Sequence, residues 1–225
     1  MDNVAIIFDI NGTLVDTETA HYFGYRDALR PYGIEMTLEQ FTDVWSRQGR
    51  KLDDYLSTIG RNDLLADSTK IKRAKDDIFQ STIHERITLM PGAREVLTLL
   101  RSAGIPLGLD TSGSGENMEM MLALFSLQDF FLYTANGDTV IDEEKYGSRK
   151  WKASRLKYLA DQFALPTASC IMVGDAEKDL KGAIDAGMRC IVVPNVHTKT
   201  QDFSTADLIV TSLQDLTVGT CADLV

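Results

Sequence analysis

An uninterrupted apolar run, Val4-Ala5-Ile6-Ile7-Phe8, is followed directly by Asp9-Ile10-Asn11-Gly12-Thr13. A short run of this kind is typical of a strand that is buried on both faces of a parallel sheet. A carboxylate at its end, followed by a glycine where the backbone can turn tightly, would place an acidic side chain and free N–H groups at the carboxyl edge of the sheet. Open α/β folds bind their ligands at that edge. The sequence therefore favours an α/β fold with its site beside Asp9.

From about residue 88 onward, short β-rich segments alternate with helical patterns. The predicted strands are 105–110, 131–134, 169–173, 190–193 and 207–210, and the predicted helices are 93–103, 116–125, 150–164 and 177–186. Repeated strand–helix units imply right-handed crossovers and a parallel sheet that is covered on both faces. We therefore expect a Rossmann-like, doubly wound parallel sheet.

Residues 17–87 have a different pattern, with helical periodicity and almost no strand signal. The predicted helices are 21–32, 51–59 and the longer amphipathic stretch 68–84, and Thr37-Leu38-Glu39-Gln40 has the form of a capping box. An all-helical block inserted after the first strand is typical of a cap. We expect a catalytic core of residues 1–16 and 88–225 and a helical cap domain of residues 17–87.

The charge balance and the amino terminus bear on partners and location. The net charge of -10 over 225 residues disfavours a nucleic-acid or anionic-membrane partner. The amino-terminal residues MDNVAIIFDI contain no basic segment before the apolar run, which favours a cytoplasmic location. Cys170, Cys190 and Cys221 lack metal-binding or redox spacing, so we expect packed thiols.

Further motifs follow the predicted strands in order. Thr111-Ser112 ends one strand, and Gly174-Asp175 ends another, with Asp179 four residues later; Lys150 precedes Asp175 by 25 residues. With Asp9-x-Asn11-Gly12-Thr13, these motifs resemble those of haloacid dehalogenase superfamily hydrolases. The resemblance covers nearly the whole chain and is to the subgroup with a helical cap, which includes β-phosphoglucomutase-like phosphatases.

These residue types also suit phosphoryl transfer, which needs a positioned nucleophile and positive charge around the moving oxygens. Asp9 can attack phosphorus and form an aspartyl phosphate. Mg²⁺ prefers oxygen ligands, which Asp9, the backbone carbonyl of Asn11 and Asp175 would supply. Asp179 would orient these ligands or serve as a further one.

The remaining predicted site residues would hold the substrate. Thr111 and neighbouring N–H groups can bind phosphate oxygens, and Lys150 can pair with both the phosphate and Asp9. The predicted substrate-binding residues are Gly12, Thr13 and Ser112 in the core and His21, Arg47 and Arg50 in the cap. Arg47 and Arg50 belong to a basic segment between two predicted helices, where related caps lower a loop over the active site.

Asn11 departs from the family pattern, because the resembling phosphatases and mutases have a second aspartate there that acts as general acid and base. An amide cannot deliver or accept a proton at neutral pH. Either the substrate carries a good leaving group, or another residue such as His21 supplies the proton, or the site is impaired, naturally or by deliberate change. Asp110 is a poorer candidate acid than His21, because strand alternation points it away from Thr111.

The motifs together predict a Mg²⁺-dependent phosphatase acting on a small phosphorylated metabolite through Asp9. Two alternatives are a sugar-phosphate mutase, which would depend even more on the missing acid, and a catalytically silent phosphate-binding regulatory protein. A 2-haloacid dehalogenase is disfavoured by the acidic motif at Asp175 and Asp179. The sequence does not define the oligomeric state.

Overall fold

The computed structural model describes residues 4–47, 50–149 and 151–224. Among them the strands are β1 (Ala5–Asp9), β2 (Val15–Asp16), β3 (Thr88–Leu89), β4 (Leu107–Asp110), β5 (Tyr133–Ala135), β6 (Cys170–Gly174), β7 (Arg189–Val192) and β8 (Leu208–Ile209). The main sheet of the described chain is six-stranded, in the order β5-β4-β1-β6-β7-β8, and β2 pairs with β3 separately. All pairings of the main sheet are parallel. The predicted doubly wound α/β fold is therefore confirmed.

The α-helices of the described residues lie between these strands along the chain, except for the last one, which follows β8. They are α1 (Glu18–Leu29), α2 (Leu38–Phe41), α3 (Leu52–Thr58), α4 (Ser68–Arg86), α5 (Ala93–Ser102), α6 (Gly115–Leu124), α7 (Glu143–Tyr146), α8 (Lys152–Gln162), α9 (Glu177–Ala186) and α10 (Val218–Ala222). A π-helix spans Thr42–Arg47. None of the described helices is both long and apolar enough to cross a membrane.

Strand β1 is the central strand that positions the site. All five of its residues are buried, and it pairs with β4 on one side and β6 on the other. This explains the continuous apolar run, because both faces of the strand pack against other elements. The register places Asp9 opposite Asp110 and Phe8 opposite Val173, so the end of β6 reaches the same edge. Asp9 and the residues that follow β4 and β6 therefore meet at one edge of the sheet.

The chain divides into two compact units, Met1–Asp16 with Leu89–Val225, and Thr17–Thr88. The second unit is helical, and its core is formed by buried residues that include Leu29, Phe41, Leu56 and Ile71. Its predicted capping box is present: the Thr37 N–H donates to Gln40 Oε1 at 2.9 Å, and the Gln40 N–H donates to Thr37 Oγ1 at 3.2 Å.

The bounds of one predicted helix differ in a way that matters for the site. The helix expected over 150–164 begins at Lys152, because Trp151 has an extended backbone and occupies the N-cap position. It ends at Gln162, and Ala164 has a left-handed backbone with a φ of 54°. The three cysteines are buried free thiols, as predicted.

Candidate active site

Charged and polar side chains from several elements of the first unit contact one another at the carboxyl edge of the main sheet. They are Asp9 from β1, Asp110 and Thr111 from the end of β4, Lys152 and Arg155 from α8, Asp175 after β6, Asp179 from α9, and Asn195 after β7. The strand order reverses at β1, which pairs with β4 on one side and with β6 on the other. Open α/β sheets bind ligands at the carboxyl edge beside such a reversal.

Lys152 is the positive charge at the centre of this cluster. Its Nζ lies 2.6 Å from Asp9 Oδ1, 2.7 Å from Asp179 Oδ1 and 3.2 Å from Asp110 Oδ2. Asp9 Oδ2 is buried and has no hydrogen-bond partner among the described residues. Asp9 is therefore held through one oxygen, while its other oxygen is left available.

Lys150, which the motif spacing predicted for this position, lies outside the described residues. The lysine whose ammonium contacts Asp9 is Lys152, two positions later. Its side chain runs across Gly182 of α9, where a Cβ atom would stand 2.7 Å from Lys152 Cγ. Trp151, between the two lysines, is 65% exposed. The usual tendency of Trp to be buried and Lys to be exposed is thus reversed at this helix start.

Asp175 is held by donors to each of its oxygens. The Thr13 hydroxyl donates to Oδ1 at 3.0 Å, and Asn195 Nδ2 donates to Oδ2 at 2.9 Å. Asn195 Nδ2 also lies 3.0 Å from the Gly12 carbonyl oxygen, which it bonds. Gly12 has a φ of 86°, and a Cβ there would stand 2.7 Å from Asp175 Oδ2, so only glycine fits. The Thr13 side chain, which we predicted to bind substrate, supports this carboxylate.

Asp179 is held by contacts with both of its carboxylate oxygens. Its Oδ2 accepts hydrogen bonds from the N–H groups of Asp175 at 3.2 Å and Ala176 at 3.0 Å, and its Oδ1 pairs with Lys152. These bonds satisfy N–H groups at the start of α9 and fix the turn that carries Asp175. Of the two roles open to Asp179, its contacts favour that of an orienting residue.

Asn11 and Thr111 are joined by their side chains. Asn11 Nδ2 donates to Thr111 Oγ1 at 3.2 Å, and the Gly113 N–H donates to the same oxygen at 3.1 Å. Thr111 Oγ1 accepts both of these hydrogen bonds, so its hydroxyl can in turn donate a hydrogen bond, for example to a phosphate oxygen. The Asn11 amide therefore orients the hydroxyl of Thr111.

A family model for haloacid dehalogenase-like hydrolases matches residues 6–193. The chain belongs to this family. It is 27% identical over 216 residues to protein CbbY of Rhodobacter capsulatus, covering 92% of both chains. It is 24% identical over 221 residues to phosphoglycolate phosphatase of Yersinia pestis, covering 97% of this chain and 90% of that protein. The crystal structure of CbbY from Rhodobacter sphaeroides in complex with phosphate has a TM-score of 0.75 at 24% identity, covers 98% of this chain and 99% of its own, and shares the fold.

The carboxylates of this haloacid dehalogenase-like hydrolase perturb one another. Burial, together with the charges of Asp179 and Asp9, raises the pKa of Asp175 to about 8. Burial likewise raises the pKa of Asp9, although Lys152 opposes the shift. Burial acts to raise the pKa of Asp179, but the charges of Lys152 and Lys178 and the hydrogen bonds to Lys152 and Ala176 together outweigh burial, so the pKa of Asp179 is lowered.

Lys152 stays charged in this environment. Burial lowers its pKa, but attraction to Asp179, Asp9 and Asp110 outweighs burial, so the pKa of Lys152 stands well above its ordinary value. Lys178, beside Asp179 on the first turn of α9, adds a positive charge from an exposed position. The site of the hydrolase therefore carries permanent positive charge beside Asp9.

The donor set of the hydrolase fits a hard divalent cation. Asp9, Asp175 and Asp179 each offer a carboxylate oxygen, and these oxygens lie within 4.8 Å of one another. The cluster contains four buried carboxyl groups, those of Asp9, Asp110, Asp175 and Asp179, and two buried cations, Lys152 and Arg155. A bound cation would relieve the repulsion among these carboxyl groups, which contributes to the raised pKa of Asp175. Carboxylate oxygens and the unpartnered Asp9 Oδ2 suit Mg²⁺, which prefers oxygen ligands.

The predicted cap residues belong to the second unit. The His21 ring stacks on Phe79 with centroids 4.3 Å apart. Arg50 Nη1 donates to Thr58 Oγ1 at 3.5 Å. The side chain of Arg47 lies outside the described part of the chain. Roles of these residues in substrate binding stay predictions.

Four residues of the cluster were not selected from the sequence, namely Asp110, Lys152, Arg155 and Asn195; Asp110 was considered only as a poorer candidate acid. For Lys152 and Arg155 the sequence signal is ambiguous, because both lie in a charged segment typical of an exposed helix face. Asn195 follows the apolar strand β7, and polar residues at such strand ends are candidates for a site. That positional rule was the one signal that could have identified Asn195.

Proposed function

We propose that this chain is a Mg²⁺-dependent phosphatase that cleaves a small phosphorylated metabolite through an aspartyl phosphate on Asp9. The main support for this proposal is the different environment of the two carboxylate oxygens of Asp9. One of its oxygens is held 2.6 Å from the Lys152 ammonium, and the other is buried without a hydrogen-bond partner among the described residues. Such a carboxylate is oriented, partly neutralised and available for attack on phosphorus.

In the first step Asp9 attacks phosphorus, a new O–P bond forms, and the bond to the leaving oxygen breaks. Lys152 offsets the negative charge that gathers between Asp9 and the phosphate. The Thr111 hydroxyl donates a hydrogen bond to a phosphate oxygen. Asp9, Asp175 and the Asn11 carbonyl would hold Mg²⁺, which when bound supplies further positive charge to the phosphate. In the second step water attacks the aspartyl phosphate, releases phosphate and restores Asp9.

Asn11 restricts the substrates that this chemistry suits. The leaving oxygen receives no proton from Asn11, whose amide donates to Thr111. A leaving group that is stable as an anion, such as an aryl, acyl or anhydride oxygen, departs without that proton. We therefore propose substrates with good leaving groups. The similarity to CbbY and to phosphoglycolate phosphatase supports a small phosphorylated substrate.

Phosphate release from p-nitrophenyl phosphate and from a panel of phosphorylated metabolites tests this proposal. We expect turnover with Mg²⁺ and its loss when EDTA removes the metal. Metal-independent chloride release from a 2-haloacid would instead identify a dehalogenase. Tight binding of phosphate with no turnover of any panel member would identify a regulatory protein.

Replacing the amide with a carboxyl group tests the role of Asn11 directly. We expect Asn11→Asp to raise kcat/KM for alkyl phosphates by about 10²-fold, because general acid catalysis contributes roughly 10²–10⁴-fold. For aryl phosphates we expect little change. Initial rates of phosphate release on both substrate classes provide the measurement.

Asn195→Asp is the matched control for this substitution. It makes the same amide-to-acid change 2.9 Å from Asp175, where a further negative charge should lower activity. An unchanged rate of Asn11→Asp on alkyl phosphates would show that another group already supplies the proton.

A further inference from the structure

We infer that the buried Asp110–Arg155 pair is a positioning device, which holds Lys152 against Asp9 and fixes the turn at Thr111–Ser112. The inference rests on the proposed function, since it assigns these two residues a part in phosphoryl transfer without contact with the substrate. Its support comes from the hydrogen bonds of the Arg155 guanidinium.

Arg155 connects three parts of the site through one rigid group. Its Nε donates to Asp110 Oδ1 at 2.6 Å, and its Nη2 donates to Asp110 Oδ2 at 3.1 Å. Nη2 also donates to Ser112 Oγ at 3.0 Å, and Nη1 donates to the Arg149 carbonyl oxygen at 2.9 Å. The planar guanidinium presents its donors in a fixed geometry, so these bonds set the relative positions of the end of β4, the turn after it and the segment before α8.

Asp110 stands next to the nucleophile and would compete with it for Lys152. The register places Asp110 directly opposite Asp9 on the neighbouring strand. Lys152 Nζ lies 3.2 Å from Asp110 Oδ2, farther than its 2.6 Å and 2.7 Å contacts with Asp9 and Asp179. Because Arg155 neutralises Asp110 through two bonds, the ammonium of Lys152 is directed to Asp9 and Asp179. Without Arg155, Asp110 would be an uncompensated carboxylate within reach of the ammonium.

Stability alone does not account for this pair. Arg155 is 1% exposed and Asp110 is fully buried, and desolvation of two such charges offsets much of their attraction. Well-packed apolar residues of similar volume often stabilise a fold equally well. An apolar pair would keep the packing between α8 and β4, but it would not bond Ser112 or the Arg149 carbonyl oxygen.

The double variant Asp110→Val/Arg155→Met separates the two roles. It removes both charges together, so neither is left buried and unpaired, and we expect its Tm to stay near that of the wild type. We expect kcat for p-nitrophenyl phosphate to fall by about 10²-fold, the loss typical of a misplacement of about 1 Å in a catalytic site. KM should change much less than kcat. In its crystal structure we expect the Thr111–Ser112 turn to move, because the bond from Arg155 to Ser112 is lost. In the crystal structure of the single variant Arg155→Met, which leaves Asp110 without its partner, we expect Lys152 Nζ to move from Asp9 Oδ1 toward Asp110 Oδ2.

Arg155→Lys provides a second variant, which keeps the buried positive charge but lacks the planar guanidinium and its fixed set of N–H donors. We expect it to lower kcat by about tenfold, since the misplacement is smaller than in the double variant. Arg189→Met is the matched control, because it breaks an arginine–aspartate pair of the same unit, with Asp207, that contacts none of the site residues named above. We expect the kcat of Arg189→Met to equal that of the wild type.

Wild-type kcat in either Asp110→Val/Arg155→Met or Arg155→Lys would overturn the inference. An unmoved Lys152 in the crystal structure of Arg155→Met, or an unmoved Thr111–Ser112 turn in that of the double variant, would also overturn it. If the wild type cleaves no phosphate ester, the proposed function fails, but the position of Lys152 still decides the inference. The two failures are therefore distinguishable.

Discussion

Asp9→Asn is expected to abolish phosphate release, with kcat lowered on the order of 10⁴-fold or more, as for the loss of other covalent nucleophiles. The amide has nearly the same shape as the carboxylate, but it is a poor nucleophile and carries no charge to attract a cation. Because burial raises the pKa of Asp9, the fold does not depend on the ionised form, and we expect the variant to fold. Phosphate release with Mg²⁺ gives the rate, and thermal unfolding verifies the fold.

The control for this variant is Asp202→Asn, the same change at an exposed aspartate that accepts a hydrogen bond from the Ser204 N–H. Its kcat should equal that of the wild type. Turnover by Asp9→Asn at a tenth of the wild-type rate or more would contradict covalent catalysis at Asp9. A phosphorylated Asp9 trapped by rapid acid quench of the wild type would support it directly.

Lys152→Met is expected to lower kcat by about 10²–10³-fold, the loss typical of removing one electrostatic group from a transition state. The methionine keeps most of the unbranched side chain that runs across Gly182, but it leaves Asp9 and Asp179 without their shared ammonium. The carboxylates then repel the incoming phosphate more strongly. Steady-state kinetics on p-nitrophenyl phosphate at saturating Mg²⁺ measure the effect.

Lys150→Met is the matched comparison, because it removes the same charge from the same segment of the chain. Motif spacing assigns the catalytic lysine to Lys150, whereas the contact with Asp9 assigns it to Lys152. We expect the larger loss of kcat for Lys152→Met. A larger loss for Lys150→Met would contradict the assignment made from the contact.

Much of the fold follows from local features of the sequence. The apolar run before Asp9 predicted a strand buried on both faces, and β1 is such a strand. The helix expected over 177–186 has those bounds in the structure, because Gly187, with a φ of 75°, ends it. The predicted start of the strand before Thr111, at residue 105 and not at Leu107, and both predicted ends of the helix over 150–164 were less accurate. Hydrogen bonding to neighbouring strands and the backbone of Trp151 decide those ends, and periodicity does not encode them.

The candidate site, like the fold, was only partly predictable from the sequence. Asp9 ends a strand, and Thr111 and Asp175 each follow one. Parallel strands bring their carboxyl ends together, so the proximity of these residues was predictable. Asn195 also follows a strand, yet its bonds to Asp175 and Gly12 depend on the turn that it occupies. Arg155 has no sequence signal that separates it from an exposed arginine of an amphipathic helix.

The sequence by itself determined that a buried strand ends in Asp9, that a glycine turn follows, and that further carboxylates stand at the ends of parallel strands. These features are local, because backbone preferences and apolar periodicity act over a few residues. Only the tertiary structure decided that Lys152 pairs with Asp9 across 143 positions of the chain and that Arg155 neutralises Asp110. Ion pairs of this kind depend on strand register, on the residue at which α8 begins and on burial, and the packed fold sets all three.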